Sequence, residues 1–172
     1  MLYHLYYFSG TGNTERGARR IAEALEKDGH EVRMLYISRT ARPLPERPDR
    51  LILAYPTYAW RPPALVARFV ARLPRGGGIP AAVFTADGGG SYGSADVAGR
   101  MLRRKGYRVV LKGAAHYPVN WVEMMPPPVD KERSRSVAAG DAGVDAFMRA
   151  LLDGTTLEQE RSGIDGLLNF VG

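Results

Sequence analysis

The tightest constraint on this chain lies in residues 1–27. Residues 2–8 are apolar and aromatic on both faces of a strand, Ser9, Gly10, Thr11, Gly12, Asn13 and Thr14 follow with no spacer, and an amphipathic helix begins at once. From Thr14 to Lys27, Gly17, Ala18, Ile21, Ala22 and Leu25 form one stripe, while Glu15, Arg16, Arg19, Arg20, Glu23, Glu26 and Lys27 fill the other, and Gly29 ends the helix. A strand with two apolar faces must be covered on both, which a parallel sheet flanked by helices achieves. The opening therefore commits the chain to alternating strands and helices.

The remainder keeps to that alternation. Residues 31–37 alternate polar and apolar positions and read as a strand at or near an edge. Residues 50–55 and 79–86 are buried-type strands, and 107–115 is a fifth. Helices are expected from Pro62 or Pro63 with Leu65, Val66, Phe69, Val70 and Leu73 facing inward, over 94–105, and over 131–152. Five strands joined by helices with right-handed crossovers predict an α/β three-layer sandwich around a parallel sheet. One domain is expected over 1–153, followed by a weakly patterned tail over 154–172.

Composition narrows the chemistry. There is no cysteine, which excludes disulfides, thiolate metal sites, iron–sulfur clusters and a cysteine nucleophile on this chain. His4, His30 and His116 have no metal-ligand spacing and no evident nucleophile partner, so redox chemistry here requires a bound cofactor. The longest nearly uncharged runs fall far short of the roughly 20 residues that span a bilayer. The 24 Lys and Arg against 18 Asp and Glu leave a net charge of +6, a field that favours acidic partners or an anionic membrane surface. Nucleic acid is disfavoured, because no helix-turn-helix or RNP-type motif accompanies the charge.

In an open α/β sheet, ligands bind beyond the carboxyl ends of the strands, so the loops after the first, third and fourth strands are the candidates. In the first, glycines let several N–H groups converge and the helix start adds partial positive charge, which makes an anion site. A dinucleotide fingerprint beginning at Gly10 needs glycine where Glu15 stands, and a P-loop needs a lysine that is absent. A hydroxyl-rich cage without its own cation suits a terminal phosphate monoester; the alternative is an ordinary hydroxyl-capped turn.

The run Tyr7-Phe8-Ser9-Gly10-Thr11-Gly12-Asn13-Thr14 resembles the phosphate-binding signature of the flavodoxins. The resemblance covers residues 1 to about 150 and continues in Tyr55-Pro56-Thr57-Tyr58-Ala59-Trp60-Arg61-Pro62-Pro63, in Thr85-Ala86-Asp87-Gly88-Gly89-Gly90 and in Pro118-Val119-Asn120-Trp121. Those segments are most similar to the flavodoxin half of proteins that join a flavodoxin domain to a C-terminal bacterial-type ferredoxin domain. The resemblance implies a flavodoxin-like fold with strand order 2-1-3-4-5 and FMN as cofactor. It also implies that Ser9 to Thr14 hold the phosphate while Pro56, Thr57, Tyr58, Ala59 and Trp60, with Asp87, Gly88, Gly89, Gly90 and Tyr92, hold the ring. An isoalloxazine plate needs aromatic faces and main-chain groups at its edges: Tyr58 and Trp60 supply one face, Tyr92 the other, and the glycines admit backbone N–H groups. The plainer alternatives are a helix-capping contact for Trp60, packing for Tyr92, turn formation for Asp87 and a satisfied strand end for His116. Arg16, Arg19 and Arg20 read as solvated.

Two departures from the family shape the functional expectation. Flavodoxin carriers are usually acidic around the flavin, whereas this chain is basic, which favours an acidic redox partner such as a ferredoxin, or an anionic membrane. The ferredoxin half has no counterpart in these 172 residues, so either electrons cross to a separate protein or the sequence is a piece of a longer chain. The leading expectation is a cytoplasmic FMN-binding electron carrier with no catalytic residue and no metal. The alternatives are an FMN oxidoreductase acting on a quinone or porphyrinogen-type substrate at a membrane, with Trp121, Met124, Met125 and Pro126 to Pro128 as a substrate shelf, and a flavin-free binding module.

Overall fold

A computed structural model describes residues 1–90, 93–118 and 130–155 of the chain, Asp130 by its backbone alone. Its elements are β1 (Leu2–Tyr7), α1 (Asn13–Lys27), β2 (Glu31–Tyr36), β3 (Arg50–Pro56), α2 (Ala64–Arg72), β4 (Pro80–Asp87), α3 (Ser94–Arg104), β5 (Arg108–His116) and α4 (Asp130–Asp153). The strands form one parallel sheet in the order β2-β1-β3-β4-β5. This is the expected architecture, with the expected strand order.

Burial explains which strand goes where. β1, β3 and β4 bury nearly every side chain, so they take the three central positions, while β2 alternates half-buried and exposed residues and sits at an edge. Alternation along each strand then divides the core in two. Leu5, Ile52, Ala82 and Phe84 meet Ile21 and Leu25 of α1 and Val144 and Phe147 of α4. Tyr6, Leu53, Tyr55 and Val83 meet Val66 and Phe69 of α2 and Ala98 and Leu102 of α3. Each fully buried Leu, Ile or Phe is worth roughly 1.5–3 kcal/mol, and these two layers hold the sheet between two pairs of helices.

The α1–α4 layer is closed by polar contacts as well. Arg16 donates from Nε and Nη2 to the Asp141 carboxylate at 2.8 and 2.7 Å, and Arg20 pairs with Asp145 at 2.8 Å. Tyr117 Oη donates to Asp141 at 3.1 Å. Arg19 pairs with Glu15 one turn earlier on α1, at 2.7 Å. The reading of Arg16, Arg19 and Arg20 as merely solvated is therefore corrected: two of the three tie α1 to a helix far along the chain. Helix α2 begins at Ala64 because Pro63, with φ −52° and ψ 143°, is still extended.

Strand order reverses direction of growth between β1 and β3: the chain leaves β1 for β2 on one side and returns to β3 on the other. Loops on either side of such a switch diverge and leave a crevice at the carboxyl edge of the sheet. The loops after β1 and β3 flank it.

Candidate functional site

The loop after β1 is shaped by its glycines for two different reasons. Gly12 has φ 97° with open space where a side chain would stand, so the backbone conformation alone demands glycine. Gly10 lies against the Tyr58 hydroxyl instead, which an added Cβ would meet at 2.5 Å and push aside. The loops after β1 and β3 are thus in contact. Ser9 Oγ accepts from the Gly12 N–H at 3.1 Å, and Tyr36 Oη donates to the Ser9 carbonyl at 3.3 Å. Helical pairing begins with the Arg16 N–H on the Gly12 carbonyl at 2.8 Å, which leaves the first-turn N–H groups without intrahelical acceptors. Asn13 Nδ2 donates to the Pro118 carbonyl at 3.1 Å, so this side chain joins the loop to the end of β5. Thr11 is exposed, whereas Thr14 is buried and its Oγ1 has no hydrogen-bond partner.

The loop after β3 holds a tight reversal. Tyr58 and Arg61 exchange N–H to carbonyl bonds of 3.0 Å in both directions, with Ala59 at φ 45° and Trp60 at φ 63° between them. Two consecutive positive φ values define a type I′ turn, which Asn-Gly adopts with least cost. Here Ala and Trp hold it, at roughly 1 kcal/mol or more of strain per residue. The turn presents Trp60 and Tyr58 to solvent, each about half exposed. Phe8 lies edge-on to Tyr58 at 6.4 Å and tilted to Tyr36 at 6.1 Å, so an aromatic group from β1, β2 and the β3 loop surrounds the Ser9–Gly12 turn. Partial burial pushes the Tyr58 phenol above its ordinary pKa. Pro56 ends β3, and the Thr57 N–H bonds the Ala86 carbonyl at 3.0 Å. Thr57 Oγ1 is buried without a partner.

After β4, Asp87 organises the glycine run. Its Oδ1 accepts from the Gly89 and Gly90 N–H groups at 3.1 and 2.8 Å and lies 2.5 Å from His116 Nδ1. The Asp87 side chain is only 3% exposed while that of His116 is 62% exposed, and Asp87 Oδ2 has no partner. Gly88 follows Asp87 in this bend, and Gly90 has φ 146°. Tyr92, Trp121, Met124, Met125 and Pro126 to Pro128 lie outside the described residues.

The structure therefore places Ser9 to Thr14, Pro56 to Trp60 and Asp87 to Gly90 on the carboxyl ends of β1, β3 and β4, which are adjacent in the sheet. The five-stranded order and its coverage match solved proteins. The chain is similar to oxidised flavodoxin 1 of Bacillus cereus, at 22% identity and a TM-score of 0.55, with 85% of this chain and 98% of that one covered. It is also similar to the two-electron reduced flavodoxin of Megasphaera elsdenii, at 23% identity and a TM-score of 0.56 over 83% of this chain and 98% of that one. The fold is that of the flavodoxins. A rubredoxin oxygen:oxidoreductase from Desulfovibrio gigas carries it within a longer chain, at 17% identity and a TM-score of 0.57, covering 89% of this chain and 36% of that protein. No protein-family model and no curated protein matches the sequence.

On this flavodoxin fold, three features of the edge were not read from sequence. Tyr36 ends β2 and reaches Ser9 from the neighbouring strand; its place in the alternation of β2 gave an exposed position but no target. The Asp87–His116 pair joins residues 29 apart, at the registered ends of β4 and β5. The orphaned Thr57 hydroxyl depends on burial by its surroundings, which no local pattern encodes.

Proposed function

We propose that this chain binds FMN at the carboxyl edge of β1, β3 and β4 and passes electrons between redox partners. The observation that carries the reading is a set of buried, unpartnered polar atoms: Thr14 Oγ1, Thr57 Oγ1 and Asp87 Oδ2, one on each of the three loops. Buried polar groups are almost always satisfied, and each orphan costs roughly 1–3 kcal/mol. Three on one edge fit a ligand rich in acceptors and donors, such as a phosphate monoester with a heteroaromatic ring. The residues present suit that group: the Ser9–Thr14 turn offers N–H groups at a helix start, hydroxyls and no lysine, and Tyr58 and Trp60 offer aromatic faces beside it.

In this reading Ser9, Gly10, Thr11, Gly12, Asn13 and Thr14 bind the phosphate, with Asn13 also anchoring the turn. Pro56, Thr57, Tyr58, Ala59 and Trp60 hold one side of the ring, and Tyr92 flanks the other. Asp87 keeps Gly88, Gly89 and Gly90 in place along the ring edge. FMN supplies the one- and two-electron chemistry when bound; the chain binds it, orients it and limits its contact with water. The basic charge supports an acidic redox partner such as a ferredoxin, as does the likeness in sequence to the flavodoxin half of ferredoxin-coupled proteins. Among the described residues no helix is long and apolar enough to cross a membrane.

One observation favours a second reading as an FMN oxidoreductase acting on a quinone or porphyrinogen-type substrate. The exposed His116 imidazole on the Asp87 carboxylate is a group able to move a proton, which a carrier does not need. Titration of FMN against the protein, followed by flavin fluorescence, tests the main reading. Stoichiometric quenching is expected, with Thr14→Val and Thr57→Val keeping the fold while binding more weakly. A folded protein that leaves FMN fluorescence unchanged would sink both flavin readings. Turnover of a quinone by the loaded protein with NAD(P)H and no added reductase separates the second reading from the first.

A further inference from the structure

Two groups of arginines, on α1 and around α2 and α3, differ in what they meet. On α1, Arg16, Arg19 and Arg20 meet the carboxylates of Asp141, Glu15 and Asp145. On the opposite layer, Arg61 before α2, Arg68 and Arg72 on α2, Arg100 and Arg104 on α3, and Arg39 beneath α2 are exposed. Among the described residues no carboxylate comes within ion-pair distance of any of these six. The sequence itself explains the difference: from Arg50 to Lys112 the only acids are Asp87 and Asp96, and these are taken by His116 and Lys112.

Arg39, Arg68 and Arg72, with Leu65 and Ala71, also line a surface concavity of about 400 Å³. Arg72 is held over it, donating from Nε to the Arg68 carbonyl and from Nη1 to the Arg39 carbonyl, both at 3.4 Å. Beside it, Lys105 Nζ donates to the Ala71 carbonyl at 3.0 Å and joins the ends of α2 and α3. We propose that this α2–α3 face is a docking surface for a carboxylate-rich segment of a partner protein, with the Arg39–Arg68–Arg72 concavity as its centre.

Two features favour an acidic protein over an anionic bilayer. The cations are guanidinium groups, whose planar fork matches carboxylates in bidentate pairs. No large exposed apolar side chain lies on α2 or α3: the exposed ones among the described residues are Met1, Tyr36, Tyr58, Trp60 and Leu152, and of these Tyr58 and Trp60 sit in the turn with Arg61, at the rim of the face. A surface helix that enters a bilayer needs such an anchor. The face also adjoins the candidate cofactor edge, because α2 follows the Trp60 turn and α3 follows the Asp87 loop. Its role in electron delivery rests on the FMN reading, whereas the docking itself does not.

Fluorescence anisotropy with labelled poly-L-glutamate tests the surface. The wild-type chain is expected to bind with an affinity that falls as salt rises. Arg68→Glu with Arg72→Glu is expected to weaken binding at least about tenfold, and Arg68→Gln with Arg72→Gln by a smaller factor. Arg19→Glu with Arg149→Glu, the same change in net charge on the α1–α4 layer, is expected to change it less than threefold. Equal losses in the two charge-reversed variants would mean that net charge alone attracts the polyanion and would overturn the proposal. Binding to phosphatidylglycerol vesicles without binding to poly-L-glutamate would overturn it in favour of a membrane. FMN titration of the same variants, expected to match wild type, reads the cofactor site separately, so a failed surface and a failed flavin site give different results.

Discussion

His116 Nδ1 lies 2.5 Å from the Oδ1 of Asp87, the same carboxylate oxygen that receives the Gly89 and Gly90 N–H groups. A surface imidazole and an exposed glycine loop thus share one acceptor atom, on a buried carboxylate. The backbone bonds persist if His116 is removed, whereas all three contacts vanish with Asp87. Asp87→Ala is expected to lower stability by about 2 kcal/mol, in the range of hydrogen bonds to charged groups. His116→Ala is expected to cost less. Amide hydrogen exchange resolves the two: the Gly89 and Gly90 amides exchange faster in the Asp87 variant and at nearly wild-type rates in the His116 variant. Equal protection in both variants would show that the loop is held by something other than the carboxylate.

Gly17 on α1 faces the Phe84 ring, with an added Cβ falling 2.9 Å from Cε1 and 3.1 Å from Cζ. Alanine in place of a mid-helix glycine ordinarily stabilises by up to about 1 kcal/mol. Here Phe84 is fully buried and packed edge-on against Phe147 at 5.3 Å, so the ring has little space to retreat. Overpacking of this kind costs roughly 1–3 kcal/mol. Gly17→Ala is therefore expected to lower the urea midpoint, and Phe84→Leu in the same chain to recover part of the loss. A raised midpoint for Gly17→Ala alone would contradict the packing shown.

How much of this was visible in sequence follows from how local each feature is. Runs such as Leu51 to Tyr55 and Ala81 to Ala86 show two-sided burial directly, and the polar–apolar alternation of Glu31 to Tyr36 shows an edge, so the sheet was legible from pattern, whereas its strand order followed from the resemblance to the flavodoxins. The Ser9–Thr14 turn was legible because glycine and hydroxyl residues between a strand and a helix have few other uses. The Ala59-Trp60 turn was not, since neither residue favours a positive φ and the contacts around it impose the conformation. The partners of Arg16 and Arg20 lie 125 residues away on α4, beyond the reach of any helical periodicity. What remained hidden is what depends on tertiary neighbours: the ion pairs, the Asp87–His116 contact and the orphaned hydroxyls.

The strained turn predicts a trade between stability and binding. Replacing Ala59 and Trp60 together with Asn and Gly supplies residues suited to both positive φ values. The double variant is expected to be more stable by about 1 kcal/mol or more, read as a higher melting temperature without cofactor. Trp60 is half exposed, so its removal forfeits little burial. If its ring stacks on the flavin, FMN affinity falls roughly tenfold at the same time. A variant with a higher melting temperature and unchanged FMN affinity would remove Trp60 from the proposed site while leaving the strain account intact.

Asp141 makes the stability of the α1–α4 layer depend on pH. The hydrogen-bonded Arg16 guanidinium holds its carboxyl below the usual value; burial opposes that shift, and the Tyr117 hydroxyl reinforces it. The folded chain therefore keeps Asp141 ionised at pH values where the unfolded chain has begun to protonate it. The resulting stabilisation is fully present above the ordinary carboxylate range and declines as pH falls toward the depressed folded value. Asp141→Asn retains the shape but loses the charge, and is expected to cost about 1–3 kcal/mol at neutral pH. Urea denaturation of both proteins from pH 7 down to about pH 3 should show the gap narrowing with acid, because the wild type gives up the interaction that the variant already lacks. A gap that stays constant over that range would mean that Asp141 contributes through packing and not through its ion pair with Arg16.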